Sequence, residues 1–202
     1  MPPSDSHILI LAAGKGSRMG IPKALMPVAG RPWCLHQRER LDRAGLPATW
    51  VVSDSFLTAA SSDPRALQAA SPRITADSSA PMFASILRGI AHILESSSPR
   101  PSGLFILPVD VPAARPEIWH RLAAAAPVAV PTFHTKRGHP VYLSWDWIDR
   151  RITRNPGTHD PAQRLDSLIA PDTTLIEVDD PDIAVNLNTP DDVTSWLASR
   201  QP

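Results

Sequence analysis

Four short runs, Ile8-Leu9-Ile10-Leu11, Thr49-Trp50-Val51-Val52, Leu104-Phe105-Ile106-Leu107 and Val128-Ala129-Val130, are almost wholly apolar and are bounded by turn-forming residues. A strand with one wet face alternates polar and apolar residues. These runs do not, so they predict strands buried on both faces, as in a parallel sheet. Between them the period changes: Met82, Phe83, Ile86, Leu87, Ile90, Ile93 and Leu94 recur every three or four residues, the apolar stripe of an α-helix. Segments 35–44, 66–70 and 117–126 carry shorter versions of the same stripe. Strands alternating with amphipathic helices predict βαβ units and an α/β fold, a three-layer α/β/α sandwich around a mostly parallel sheet. The stretch Ser96-Ser97-Ser98-Pro99-Arg100-Pro101-Ser102 has too little apolar content to pack and reads as a surface loop.

With 202 residues, 43% of them hydrophobic, the chain can bury one sizeable core, which predicts a single domain over 1–202 with residues 1–6 as a flexible lead. Lysine plus arginine and aspartate plus glutamate number 20 each, a net charge of zero. A protein gripping long nucleic acid carries a basic excess to neutralise phosphates, so a small anionic ligand held locally is expected and nucleic acid is not. Cys34 is the only cysteine, and no Cys/His cluster has zinc-ligand spacing. That usage fits a reducing compartment, and cytoplasm is expected. The chain starts without a basic, apolar leader, and the run from Ile8 to Ala13 is far too short to span a bilayer, so neither export nor membrane insertion is expected. A monomer or a weak homodimer is the expected state.

The first strand runs into Ala13-Gly14-Lys15-Gly16-Ser17-Arg18-Met19-Gly20-Ile21-Pro22-Lys23. Three glycines and three cations share one loop at a strand's carboxyl end, where open α/β sheets place their ligands. Glycine lets backbone amides converge on a phosphate, and Arg18 and Lys23 can add charge-assisted contacts. A dinucleotide-binding turn needs a helix running on from the glycines, which Gly20-Ile21-Pro22 would interrupt. A P-loop needs Gly-Lys-Ser/Thr, which does not occur. A plain glycine turn with solvated cations remains an alternative.

Asp110 follows a buried run and sits between Pro108 and Pro112, a stiff setting for a hard oxygen ligand of magnesium. A turn aspartate capping the next helix would have the same spacing. Asn186 and Asn188, if they lie on a strand, point to opposite faces, so only one can face the site directly. Asn188 could instead cap a helix beginning near Pro190.

The pattern Leu11-Ala12-Ala13-Gly14-x-Gly16-x-Arg18-Met19-Gly20-x-Pro22-Lys23 resembles the signature loop of the MobA/MocA-like nucleotidyltransferases. Three further segments follow in that family's order: Leu107-Pro108-Val109-Asp110-Val111-Pro112, Gly138-His139-Pro140-Val141 and Asn186-Leu187-Asn188-Thr189-Pro190-Asp191-Asp192. The resemblance implies a nucleotide-diphospho-sugar transferase type of fold and transfer of a nucleoside monophosphate from an NTP to a phosphorylated small molecule, with magnesium as cofactor. It implies nucleotide binding by Leu11, Ala12, Ala13, Gly14, Gly16, Arg18, Lys23, Met82 and Ser85. Catalysis would fall to Lys23, Arg18 and Asp110, the metal to Asp110 with Asn186 (Asn188 as the alternate), and the acceptor to His139.

The Leu-Ala-Ala-Gly start and the Pro22-Lys23 pair resemble the cytidylyltransferase side of the family, so CTP is favoured, with molybdopterin as acceptor. Two departures stand out. Pro81 replaces a glycine of the relatives' Gly-Met-x-x-Ser loop, and Gly157-Thr158-His159-Asp160-Pro161-Ala162-Gln163-Arg164-Leu165-Asp166 replaces their Gly-Asp-x-Gly-Ala-Arg. Met82 and Ser85 could alternatively be a core residue and a polar-face residue of one helix. The departures leave two other functions in view: a sugar-phosphate nucleotidyltransferase, and a nucleotide-binding regulatory protein without catalysis.

Overall fold

The computed structural model describes residues 5–14, 20–154, 160 and 162–200. Its strands are β1 (His7–Ala12), β2 (Pro27–Val28), β3 (Arg31–Pro32), β4 (Ala48–Val52), β5 (Arg73–Thr75), β6 (Gly103–Pro108), β7 (Val128–Phe133), β8 (Lys136–Arg137), β9 (Val141–Ser144) and β10 (Thr174–Glu177). The helices are α1 (Trp33–Ala44), α2 (Asp54–Ala60), α3 (Pro64–Ala69), α4 (Met82–Ser96), α5 (Pro116–Ala125), α6 (Trp145–Ile148), α7 (Leu165–Ile169) and α8 (Pro190–Ala198). The main sheet runs β10-β7-β9-β6-β1-β4-β5, with β8 paired to β7.

Successive side chains of a strand point to opposite faces, and here both faces are dry. Ile8, Ile10, Trp50, Val52, Phe105 and Leu107 pack into one core with Leu41 of α1, Trp119 of α5 and Trp196 of α8. Their neighbours in sequence, Leu9, Leu11, Val51, Leu104 and Ile106, pack into a second core with Phe83, Ile86 and Ile90 of α4. Two cores on opposite faces of one sheet make the three layers, and they explain why the strand runs are apolar throughout. Helix α4 lies so close to the sheet that a Cβ on Gly89 would fall 2.4 Å from a Leu9 methyl carbon.

The sheet is mostly parallel: β1 pairs in parallel with β4 on one side and with β6 on the other. The exception is β9, which runs antiparallel between β6 and β7. Chain reversal produces it, because β7 and β8 form a hairpin whose turn residues His134 and Thr135 have φ of 46° and 67°, the left-handed backbone that tight hairpins require. The four apolar runs all point the same way, as a mostly parallel sheet requires, and the antiparallel β9 lies between the third and the fourth. Two readings are corrected. Within the lead expected to be flexible, residues 1–4 lie outside the described set, but Ser6 is fully buried and Ser102 donates to both the carbonyl and the carboxylate of Asp5. The segment of Asn186 and Asn188 is not a strand but an irregular link between a 3-10 turn, Pro181–Ala184, and α8.

Among the described residues, no helix is long and apolar enough to cross a membrane. Cys34 is buried on α1, and burial pushes its thiol up to about 11, which leaves it protonated and unreactive at neutral pH.

His7 on β1 shares a hydrogen bond of 2.9 Å with the Thr49 hydroxyl. Burial, helped by the nearby His92, pulls its pKa down to about 4. A histidine with a lowered folded-state pKa favours folding while neutral. Its contribution is therefore full above about pH 6.5 and is lost as pH falls from there toward 4. Urea unfolding at pH 7 and pH 4.5 should show this loss, with His7 supplying roughly 2 kcal/mol of it once its partial exposure is discounted. The variant His7→Gln should flatten the dependence.

Candidate active site

After β1 the chain turns to a neighbour on one side, β4, and later to the other, β6, so the strand order reverses at β1. The backbone N–H of Val109 donates to the Leu11 carbonyl at 3.0 Å, holding the two strand ends together. There a cleft of about 220 Å³ opens, lined among others by Ala12, Gly14, Lys23, Met82, Ser85 and Asp110. A Cβ on Gly14 would meet nothing within 4 Å among the described residues, which leaves the backbone at this wall open on that side. Leu11 and Ala13 line the same cleft, together with Asp77, Ser78 and Ala80 from the loop before α4.

Lys23 begins a short 3-10 turn, Lys23–Leu25, pinned by fully buried Ala24 and by Leu25 N–H donating to Pro22 at 2.8 Å. From there its ammonium donates to Asp110 Oδ2 and to Asn188 Oδ1, each at 2.5 Å. The Lys23 and Asp110 side chains are 27% and 18% exposed, so the pair is partly desolvated and its attraction is screened less than at an open surface. Asp110 caps no helix, for α5 begins at Pro116 with Arg115 at its N-cap.

Asn188, not Asn186, reaches this cluster. Buried Leu187 donates its N–H to the Asp110 carbonyl at 2.8 Å, tying the two segments together. The cap of α8 is Thr189, in a reciprocal capping box with Asp192. Asp192 also accepts from the Asn188 N–H at 2.9 Å. Bonds from Thr189 and then from the Asn188 amide hold the Asp192 carboxyl below its usual range. With capping done by its neighbour, the Asn188 side chain is left to Lys23, while Asn186 is exposed.

The loop carrying Asp110 is braced from beneath by residues that the sequence reading passed over. Gln37 of α1 is fully buried. Its amide donates to the carbonyls of Val109 (3.2 Å) and Val111 (2.7 Å), and its oxygen accepts from Ala113 N–H at 2.8 Å. The Trp33 indole also donates to Val109, at 2.5 Å. The one available signal was a glutamine on the apolar side of a helical stripe, and nothing local says where its hydrogen bonds go.

Met82 and Ser85 both line the cleft, and neither alternative reading holds. Met82 is 54% exposed rather than in the core, and Ser85 is buried rather than on a polar face. Pro81 is the N-cap of α4. His139 does not line the cleft. Gly138 ahead of it packs on the chain at Ile183, where a Cβ would lie 2.2 Å from a carbonyl oxygen, and His139 N–H donates to that same carbonyl at 2.8 Å. Its Nδ1 is buried without a hydrogen-bond partner among the described residues. Burial pulls its pKa down against the opposing charge of Asp110. Gly16 and Arg18 lie outside the described residues, as do Gly157, Thr158, His159 and Pro161 of the departing segment.

Replacing Gln37 with leucine would strand the Val111 carbonyl and the Ala113 amide, while Val109 keeps the Trp33 indole. Each such loss costs roughly 1–3 kcal/mol when unrelieved. Gln37→Leu should therefore lower unfolding free energy by about 3 kcal/mol in urea titrations, whereas a change below about 0.5 kcal/mol would show that the brace carries nothing.

The sequence matches the MobA-like NTP transferase domain over residues 8–171. No curated protein sequence matches significantly. Solved structures share the fold at low identity. Rv0371c from Mycobacterium tuberculosis H37Rv, in complex with manganese, is 19% identical with a TM-score of 0.67, covering 96% of this chain and 99% of that one. 4-Diphosphocytidyl-2C-methyl-D-erythritol synthase from Anaerococcus prevotii is 13% identical with a TM-score of 0.72, covering 99% and 100%. Molybdopterin-guanine dinucleotide biosynthesis protein A from Archaeoglobus fulgidus is 17% identical with a TM-score of 0.62, covering 96% and 100%. At these identities the structures speak for the fold, and the domain match, spanning β1 to the end of α7 and taking in both the Gly14 loop and Asp110, speaks for descent: the chain belongs to the MobA-like NTP transferase family of nucleotidyltransferases.

Proposed function

We propose that this protein transfers CMP from CTP to a phosphorylated small molecule, molybdopterin in the first instance, with a divalent cation, magnesium, as cofactor. The supporting observation is the convergence of Lys23, Asp110 and Asn188 at the head of the cleft beside Gly14. Preference for CTP rests on the wording of the loop, Leu11-Ala12-Ala13-Gly14 with Pro22-Lys23, and the acceptor rests on family resemblance.

The donor set suits magnesium. A carboxylate oxygen and an amide oxygen converge on one cationic point, here the Lys23 ammonium, and magnesium commonly takes one or two such protein oxygens with water and phosphate completing its shell. Asp110 and Asn188 would hold the ion. Once bound, it neutralises charge on the triphosphate and its leaving group.

The chemistry needs no protein nucleophile. A phosphate oxygen of the acceptor attacks the α-phosphorus of the NTP, a P–O bond forms, the bond to the β-phosphate breaks, and pyrophosphate leaves with the electron pair. The chain's part is positioning and charge. Backbone at Ala13 and Gly14 approaches the phosphates, and Lys23 supplies positive charge at the developing negative oxygens. Arg18 would add a second cation from the same loop.

Asp110→Ala should cut turnover at least about a hundredfold while the melting temperature stays close to wild type, because the carboxylate serves charge placement more than packing. Undiminished metal-dependent turnover in that variant would refute the metal assignment. Lys23→Ala should weaken CTP binding about tenfold or more, as expected for a lost charge-assisted contact, and lower turnover with it. Unaltered affinity by calorimetry would count against the loop. The assay is pyrophosphate release from CTP, GTP, UTP and ATP with magnesium or chelator, against molybdopterin and several sugar 1-phosphates. Release confined to CTP with molybdopterin supports the reading, release with a sugar phosphate replaces the acceptor, and nucleotide binding without release removes catalysis.

A further inference from the structure

A second cleft, of about 190 Å³, shares no lining residue with the first. It lies where the carboxyl end of α1, the approach to α5 and the last turn of α8 meet, and four guanidiniums line it, those of Arg40, Arg43, Arg115 and Arg200, against the carboxylates of Asp180 and Asp182. The pairing is uneven. Arg115 is matched on both sides, 3.6 Å from Asp180 and 3.6 Å from Glu117. Arg40 and Arg200, by contrast, share one oxygen, Asp182 Oδ2. The other oxygen of Asp182 accepts from the Trp196 indole at 2.9 Å.

Arg43 is exposed and makes no ion pair among the described residues, although its charge reaches Glu39, whose own partner is Arg31. At this end of the cleft Arg40 and Arg200 share the carboxylate of Asp182 and feel the charge of Asp180, and Arg43 adds a third guanidinium. The frame is rigid: Arg40 is 15% exposed and donates through Nε to the Ala113 carbonyl at 2.7 Å, and both Arg40 and Arg200 lie against the Trp196 ring, 6.0 and 4.5 Å from its centroid. Burial lowers the pKa of Arg40 and of Arg200, with the charge of Asp180 opposing the shift in each and that of a neighbouring arginine adding to it. Such crowding of like charges is costly without an anion. Guanidinium forks that are already oriented are the groups best matched to phosphate oxygens.

We propose that this cleft binds a phosphate dianion, either inorganic phosphate or the phosphate of a phosphomonoester, through Arg40, Arg43 and Arg200. The four guanidiniums of the cleft outnumber the carboxylates of Asp180, Asp182 and Glu117 that they face, and Arg43 is the one that makes no ion pair among the described residues. The inference is independent of the nucleotide chemistry proposed above.

The test is calorimetric titration of the full chain with inorganic phosphate and, separately, glycerol 3-phosphate, in magnesium-free chloride buffer of fixed ionic strength. Saturable one-site binding of at least one of them is expected, and the tighter of the two identifies the source of the phosphate. Lys23→Ala should keep this binding, whereas Arg43→Ala should weaken it at least tenfold. Because Arg43 is exposed, its variant should fold, which circular dichroism melting verifies, and Arg200→Ala gives a second reading of the same site. No saturable binding, or binding lost in Lys23→Ala and kept in Arg43→Ala, overturns the proposal.

Discussion

The ammonium of Lys23, held between Asp110 and Asn188, joins three segments 87 and 165 residues apart in sequence. A charge that leaves bulk water must find partners, and a partly buried carboxylate left alone is more costly still. Lys23 and Asp110 therefore constrain each other, and through Asn188 they constrain the chain beyond the sheet. The neutral amide matters here: a second carboxylate at this point would add repulsion to Asp110, whereas the asparagine offers an oxygen without a charge. The same property suits the pair of oxygens to a divalent ion shared with phosphate.

What makes this arrangement reproducible is backbone hydrogen bonding around Asp110 more than the side-chain pair itself. Val109 is tied to Leu11, Asp110 to Leu187, and the turn from Val109 to Ala113 to Gln37 and Trp33. A loop after a strand ordinarily runs over the surface with its polar groups in water. This one is anchored to buried groups on α1, so the carboxylate is presented on a stiff platform. Electrostatic catalysis depends on such preorganisation, since charges that must first be ordered stabilise a transition state less.

Where the pattern was local, the fold was legible. The apolar runs of β1, β4, β6 and β7 and the stripe of α4 carry their period on their face, and each formed within a few residues of its expected bounds. The strand β9 was hidden because Val141-Tyr142-Leu143 is short and its antiparallel direction comes from a hairpin whose turn residues, His134 and Thr135, are not the usual glycine and asparagine. Strands β5 and β10 are short edge strands with one or two apolar residues each.

The site was legible where a motif carried it, at Leu11 to Gly14, Lys23 and Asp110. Elsewhere a neighbour's role decides the outcome. From the sequence Asn188 reads as a cap or an alternate ligand, but Thr189 and Asp192 close the capping box between them, and the asparagine side chain is released. Gln37 was invisible because a buried glutamine looks like any polar residue until the carbonyls above it are in place.

A crystal structure with magnesium and a non-hydrolysable CTP analogue tests the central claim most directly. The account expects the ion bound by Asp110 and Asn188 at about 2.0–2.1 Å, with Lys23 turned onto the phosphates and the triphosphate lying along Ala13 and Gly14. An ion held by other residues, or a nucleotide bound away from this cleft while Lys23 still bridges Asp110 and Asn188, would contradict it.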